Sequence, residues 1–183
     1  MDPEGVLRSL RDSRSSLSEL ETTATPGVYA FFLAAGSELL GIAQPGKAPL
    51  YVGTSGNLAQ REFDTHFRAG QSGFSTLRRS LGALMRDDLG LKPRPRGTGS
   101  SATNFRNYRF DDAGEERLSD WMQENLQVAV HPVEDPAALE KDLIGLACPP
   151  LNLKGWANPD AAAIKDARKA CVEFAQAAEP RAQ

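Results

Sequence analysis

Short apolar runs alternate with longer amphipathic stretches along this chain, and the two periods predict its elements. Pro26-Gly27-Val28-Tyr29-Ala30-Phe31-Phe32-Leu33 is aromatic and aliphatic up to the Gly36-Ser37 turn, which predicts a buried strand. Leu50-Tyr51-Val52-Gly53 predicts a second strand, after which Thr54-Ser55-Gly56-Asn57 supplies turn residues and a helix cap. The connection from Ala35 to Pro49 is longer than a tight hairpin needs, so either the strands extend into it or a loop projects over the sheet.

Helical spacing recurs six times. Pro3 to Leu20 places Val6, Leu10, Leu17 and Leu20 near one face, with Ser13 interrupting, and is expected on the outside of the core. Leu58 to Phe67 carries Ala59, Phe63 and Phe67 at four-residue spacing. A helix capped by Ser75 buries Leu77, Leu81, Leu84 and Met85, and Asp112 to Asn125 buries Leu118, Trp121 and Met122. Asp135 and Pro136 open a fifth, with Leu139, Leu143, Ile144 and Leu146 as its apolar positions. Asn158-Pro159 opens the last, striped by Ile164, Ala167, Cys171 and Phe174. Phe105 to Phe110 and Gln127 to Val133 alternate as strands, and the proline, glycine and serine of Leu91 to Asn104 predict a mobile basic loop. Together these give an α/β (α+β) fold, a small, mainly antiparallel central sheet flanked by helices.

A chain of 183 residues, 40% hydrophobic and 25% charged, fits one globular domain that needs no staples. The expected organisation is a single domain, 1–183, in which a core over 25–155 carries added helices at 3–20 and 159–176. No apolar run approaches membrane-spanning length and Asp2 and Glu4 replace a basic leader, so a cytoplasmic protein without a membrane partner is expected. Cys148 and Cys171 cannot build a disulfide framework, nor a zinc site with two distant histidines.

The net charge of −3 is unevenly spread. Residues 61–109 hold ten arginines and lysines against four acids, an asymmetry that fits either a polyanion partner or a solvated face. Arg68, Arg78, Arg79, Arg94 and Arg96 are the candidate nucleic-acid contacts. Arg78 and Arg79 fall in a helix's first turn, where cations oppose the dipole; phosphate binding and plain solvation both account for them. Glu140 precedes Leu143 by three residues and Ile144 by four, so its carboxylate leans toward the apolar side. A metal or cationic partner would relieve the cost of that burial; a surface Glu beside Lys141 is the alternative.

Gly27-Val28-Tyr29 and Tyr51-Val52-Gly53 on adjacent strands resemble the two tripeptides that name the GIY-YIG nuclease family. The likeness extends through Gly53, Ser55, Leu58 and Arg61 at the family's Gly-x-Ser-x-x-Leu-x-x-Arg spacing, then to Glu140 on a helix, Pro149-Pro150 and Asn152. It implies a GIY-YIG nuclease-like fold and a metal-dependent endonuclease on DNA, with Mg²⁺ or Mn²⁺ held by Glu140. Tyr29 is then the general base, Tyr51 orients water or phosphate, Arg61 stabilises transition-state charge, and Asn152 holds the site together or donates to substrate. His66 is expected to assist Tyr29, although it lies five residues beyond Arg61, about 140° further round a helix, where many members place the second polar group four residues on, at Thr65 here. Target recognition would come from the basic stretch, the loop, or a partner subunit or second copy. A nucleic-acid-binding protein with a silent site and a nuclease acting on RNA are the rival readings.

Overall fold

The structure, a computed structural model, describes residues 2–39, 42, 48–59 and 66–178. In chain order its elements are α1 (Pro3–Asp12), β1 (Gly27–Leu33), β2 (Tyr51–Ser55), α2 (Thr76–Leu84), β3 (Pro93–Arg94), α3 (Ala102–Arg106), β4 (Arg109–Phe110), α4 (Asp112–Asn125), β5 (Leu126–Pro132), α5 (Pro136–Ala147) and α6 (Ala161–Ala178). The chain divides into two compact units, 1–64 with 123–161 and 65–122 with 162–183.

The first unit is built on an antiparallel sheet of order β2-β1-β5. Because successive strand residues point to opposite faces, Val28, Ala30 and Phe32 of β1 share one face with Val52 and Ala129. Leu7 and Leu10 of α1 and Leu139, Leu143 and Ile144 of α5 close that face into a core. Tyr29 and Phe31 point to the other face and are buried as well, which is why β1 reads as an unbroken apolar run. Truncating a fully buried leucine such as Leu143 to alanine should cost about 2–5 kcal/mol.

α1 packs its one apolar face, Val6, Leu7 and Leu10, onto this core and leaves Glu4, Arg8 and Asp12 exposed. It ends at Asp12, well before Leu20. The residues after it, Ser13 to Ser16, bond their own backbone as readily as a helix. Ser15 instead pairs with Val128 on the edge of β5 through two backbone hydrogen bonds of 3.0 and 2.9 Å, and Leu17–Glu19 forms a single 3-10 turn. α5 starts with Pro136 in its first turn as expected, although Asp135 makes no side-chain cap bond, and it stops at Cys148 in a left-handed conformation (φ 50°) ahead of Pro149.

In the second unit Ser75 caps α2 by accepting from the Arg78 amide, as its sequence predicts. The stretch expected to be a mobile loop is ordered in part. Pro93–Arg94 pairs with Arg109–Phe110, and Ser101 caps α3, so that Phe105 lies in a helix and not in a strand. Asn104 of α3 holds the Arg96 carbonyl through its side chain and accepts from the Arg96 amide. On α6 the buried positions are Ile164, Cys171 and Ala175, while Phe174, one residue and about 100° off that stripe, is 47% exposed. Both cysteines are free, and among the described residues no helix is long and apolar enough to cross a membrane.

Candidate active site

Tyr29 sits mid-strand on β1, directly opposite Gly53 of β2. Its phenol lies across that glycine: a Cβ at Gly53 would stand 2.6 Å from both Cζ and Oη of Tyr29. Glycine at this position makes room for the phenol, a packing reason for the residue that ends the second tripeptide. Gly27, which opens the first, is pinched in the same way, since a side chain there would meet the His131 carbonyl and Leu58. Leu58 is fully buried, and its amide donates to the Thr25 carbonyl at 2.8 Å.

Tyr51 is on the same face as Tyr29, offset by two residues along the paired strands, with ring centroids 6.3 Å apart. Phe31 meets Tyr29 edge-on at 5.6 Å. Burial pushes the Tyr51 phenol above its ordinary pKa, and the charge of Glu140 pushes it further, which places the carboxylate and the phenol in one neighbourhood. Glu140 lies on α5 between the core residues Leu139 and Leu143, and its own pKa is raised by burial. Among the described residues no cation forms an ion pair with it.

Asn152 has a definite place. Its Oδ1 accepts from the Val52 amide and its Nδ2 donates to the Val52 carbonyl, each at 2.8 Å. Val52 is on the outer edge of the sheet, where strand partners are missing. The amide side chain thus acts as one residue of an additional strand and fixes the backbone between Tyr51 and Gly53. Leu151 adds a backbone bond of 2.9 Å to the Leu50 carbonyl, and Asn158 holds the Asn152 carbonyl at 3.1 Å. Ser55 turns the chain after β2 by accepting from the Asn57 amide at 3.0 Å and donating to its carbonyl at 2.8 Å. The sequence spacing points to Gly53, Ser55 and Leu58 as a set. Their separate jobs, clearance, turn and plug, emerge only from the register.

Arg61 and Thr65 lie outside the described residues. His66 belongs to the second unit, where it is buried, with Nδ1 2.9 Å from Ser75 Oγ and its carbonyl accepting from Arg78 Nη1. Burial, reinforced by the Arg78 charge, lowers its pKa to about 4. Two of the candidate phosphate contacts need correction. Arg78 is fully buried and paired with Glu115 at 2.8 Å, and it also donates to Ser72, Ser119 and the His66 carbonyl. Arg79, 7% exposed, donates to the Ser72 and Gly73 carbonyls. Both guanidiniums are engaged inside the unit because α2 turns its first-turn arginines inward, where they satisfy loop carbonyls and a buried acid. Arg68 remains exposed and Arg94 half-exposed, while Arg96 lies over the Phe74 ring at 4.9 Å.

A short antiparallel sheet under helices carries two phenols on adjacent strands, one of which feels the charge of a half-buried carboxylate, and makes a small α+β domain. The chain belongs to the GIY-YIG catalytic domain family, whose model matches residues 35–170. That span begins just after β1, so the strand bearing Tyr29 is tied to it by pairing with β2. No curated protein and no solved structure matches the chain.

Proposed function

We propose that this chain is a metal-dependent endonuclease that hydrolyses phosphodiester bonds in DNA. The observation that supports it most is Glu140. A carboxylate held among core residues, raised in pKa by burial and without a cationic partner among the described residues, is a ready ligand for a divalent ion. One carboxylate, which leaves the other positions around an ion to water and phosphate oxygens, fits Mg²⁺ or Mn²⁺ better than a softer metal. Such an ion, when bound, neutralises phosphate charge and stabilises the leaving oxygen.

The chain's own groups supply the rest. Tyr51, with its pKa raised, stays protonated at neutral pH and is suited to donate a hydrogen bond to water or phosphate. Tyr29, held across Gly53, is the group that the family resemblance makes the base toward the attacking water. Arg61 is assigned by the same resemblance to the charge that develops on phosphorus oxygens. His66, with a pKa of about 4, fits a neutral hydrogen-bonding imidazole and not a proton store at neutral pH. Asn152 acts through Tyr51, by fixing β2. Arg68, Arg94 and Arg96 supply backbone contacts.

The test is nicking of supercoiled plasmid with Mg²⁺ or Mn²⁺, run beside duplex, branched and single-stranded DNA and RNA. Glu140→Gln should lower cleavage by about 100-fold or more, the scale lost with one electrostatic catalytic group, and leave binding unchanged. Without metal its melting midpoint should equal or exceed that of the wild type, since a carboxylate whose pKa is raised opposes folding once ionised. Tight binding by the wild type with no cleavage of any substrate would replace this reading with that of a silent site.

A further inference from the structure

The C-terminal helix carries a basic face that the candidate contacts chosen from the sequence leave out. Lys165, Arg168, Lys169 and Val172 recur at three- and four-residue spacing along α6, beside its buried stripe of Ile164, Cys171 and Ala175. With Arg106 of α3 and the Tyr108 ring they line a cavity of about 500 Å³ within the second unit. The four charged residues of this lining are all cations. Among the described residues only one of them has an ion pair, Lys169 with Glu173 at 3.7 Å, and both groups are well exposed. Such a pair neutralises little.

The floor differs from the rim. Val172 and Ala102 give it an apolar base, and beneath them Tyr108 is fully buried with its hydroxyl donating inward to the Arg79 carbonyl at 2.8 Å. Cations around an apolar floor match a phosphodiester strand, whose charge is on one edge and whose sugars and bases are on the other. The positive field extends past the cavity. The Arg79 guanidinium, its pKa lowered to about 10 first by burial, also feels Arg168 and Arg96. Arg96 is bonded to α3 through Asn104 and stacks on Phe74, an aromatic ring that is 65% exposed.

We propose that the cavity lined by Arg106, Lys165, Arg168 and Lys169 binds the phosphate backbone of a nucleic acid strand. The inference rests on the reading that the substrate is nucleic acid, and it moves backbone binding away from the buried Arg78 and Arg79 onto α6.

The experiment compares three full-length proteins in EDTA, where cleavage is stopped, by fluorescence anisotropy of labelled single-stranded and duplex oligonucleotides over a range of salt. These are the wild type, Arg106→Gln/Lys165→Gln/Lys169→Gln, and a charge control, Arg8→Gln/Lys141→Gln/Lys154→Gln. All six positions are exposed, and glutamine suits the five that are helical, so equal melting midpoints are expected. The pocket variant should bind about 10- to 100-fold more weakly at low salt, with a salt dependence shallower by about two to three ion equivalents, while the control keeps the wild-type values. Equal affinity and slope in the pocket variant, an equal loss in the control, or no binding by the wild type would each overturn the proposal. Cleavage in Mg²⁺ or Mn²⁺ is scored separately. Wild type that binds through this pocket and cuts nothing overturns the nuclease reading alone, and a pocket variant that binds and cuts like wild type overturns the pocket alone.

Discussion

The Tyr29 ring occupies the space that any side chain on Gly53 would need, with Cζ and Oη each 2.6 Å from the position of a Cβ there. The two residues are direct cross-strand partners, so neither strand can slip to relieve a clash without breaking the register of the sheet. Gly53→Ala must displace the phenol or bend β2. The expected cost is about 1–3 kcal/mol, the range for overpacking a filled site, with a loss of plasmid cleavage larger than the fall in folded population explains. Tyr29→Phe keeps the ring and removes the hydroxyl, so it should lower cleavage at an unchanged melting midpoint. Wild-type cleavage by both variants would remove Tyr29 from the chemistry.

Asn152 and Val52 make a second such pair. Asn152→Ala strips partners from a buried amide and a buried carbonyl at once, and each orphaned group costs about 1–3 kcal/mol. Asn152→Asp can still accept from the amide but turns a carboxylate oxygen toward the Val52 carbonyl. Urea denaturation should show both variants destabilised by about 2–6 kcal/mol, with aspartate no better than alanine. An aspartate variant as stable as wild type would show that the carbonyl contact contributes nothing.

These two pairs show what can be read from the residues and what cannot. β1, β2, β5 and the boundaries of α4 and α5 are legible because their apolar periods are long and their punctuation is clear. The end of α1 is not, because Leu17 and Leu20 continue its period while Ser15 is drawn to a strand edge more than a hundred residues away. Arg78 shows the same limit. Its place in a first turn reads as an exposed cation, and only the fold brings Glu115 within 2.8 Å. Of the candidate site, the grouping of Tyr29 with Tyr51 follows from strand pairing that short motifs announce, while Asn152 joins them only through its side-chain bonds to Val52. The approach of Glu140 to Tyr51 depends on how α5 lies on the sheet, which no local pattern encodes.

The Arg78 to Glu115 contact carries its own prediction. Glu115 Oε2 accepts from Arg78, the Gly70 amide and Ser72, and Oε1 accepts from the Phe110 amide, so one carboxylate joins several segments of the second unit. Glu115→Gln or Arg78→Met alone leaves a buried charge unmatched and should destabilise by about 3–5 kcal/mol. The double variant should recover part of that loss, since the second change removes the stranded charge. Additive losses in a double-mutant cycle followed by chemical denaturation would show that the two groups are not coupled.

His66 predicts how stability responds to acid. Its folded pKa of about 4 lies below its ordinary value of 6.5, so the unfolded chain binds a proton that the folded chain refuses. Between those two values the unfolded state holds more protons, and stability must rise with pH. The contribution is fully present above pH 6.5 and is lost as pH falls toward 4; for a group this buried it is on the order of 3 kcal/mol at most. His66→Gln lacks the titrating ring, so its unfolding free energy in urea, measured from pH 7 to 4.5, should fall less steeply than that of the wild type whatever its starting value. The other ionisable groups are common to both proteins and cancel in the difference of slopes. Identical slopes would mean that the imidazole takes up its proton in the folded state as freely as in water, and that it is not sealed behind Ser75 and Arg78.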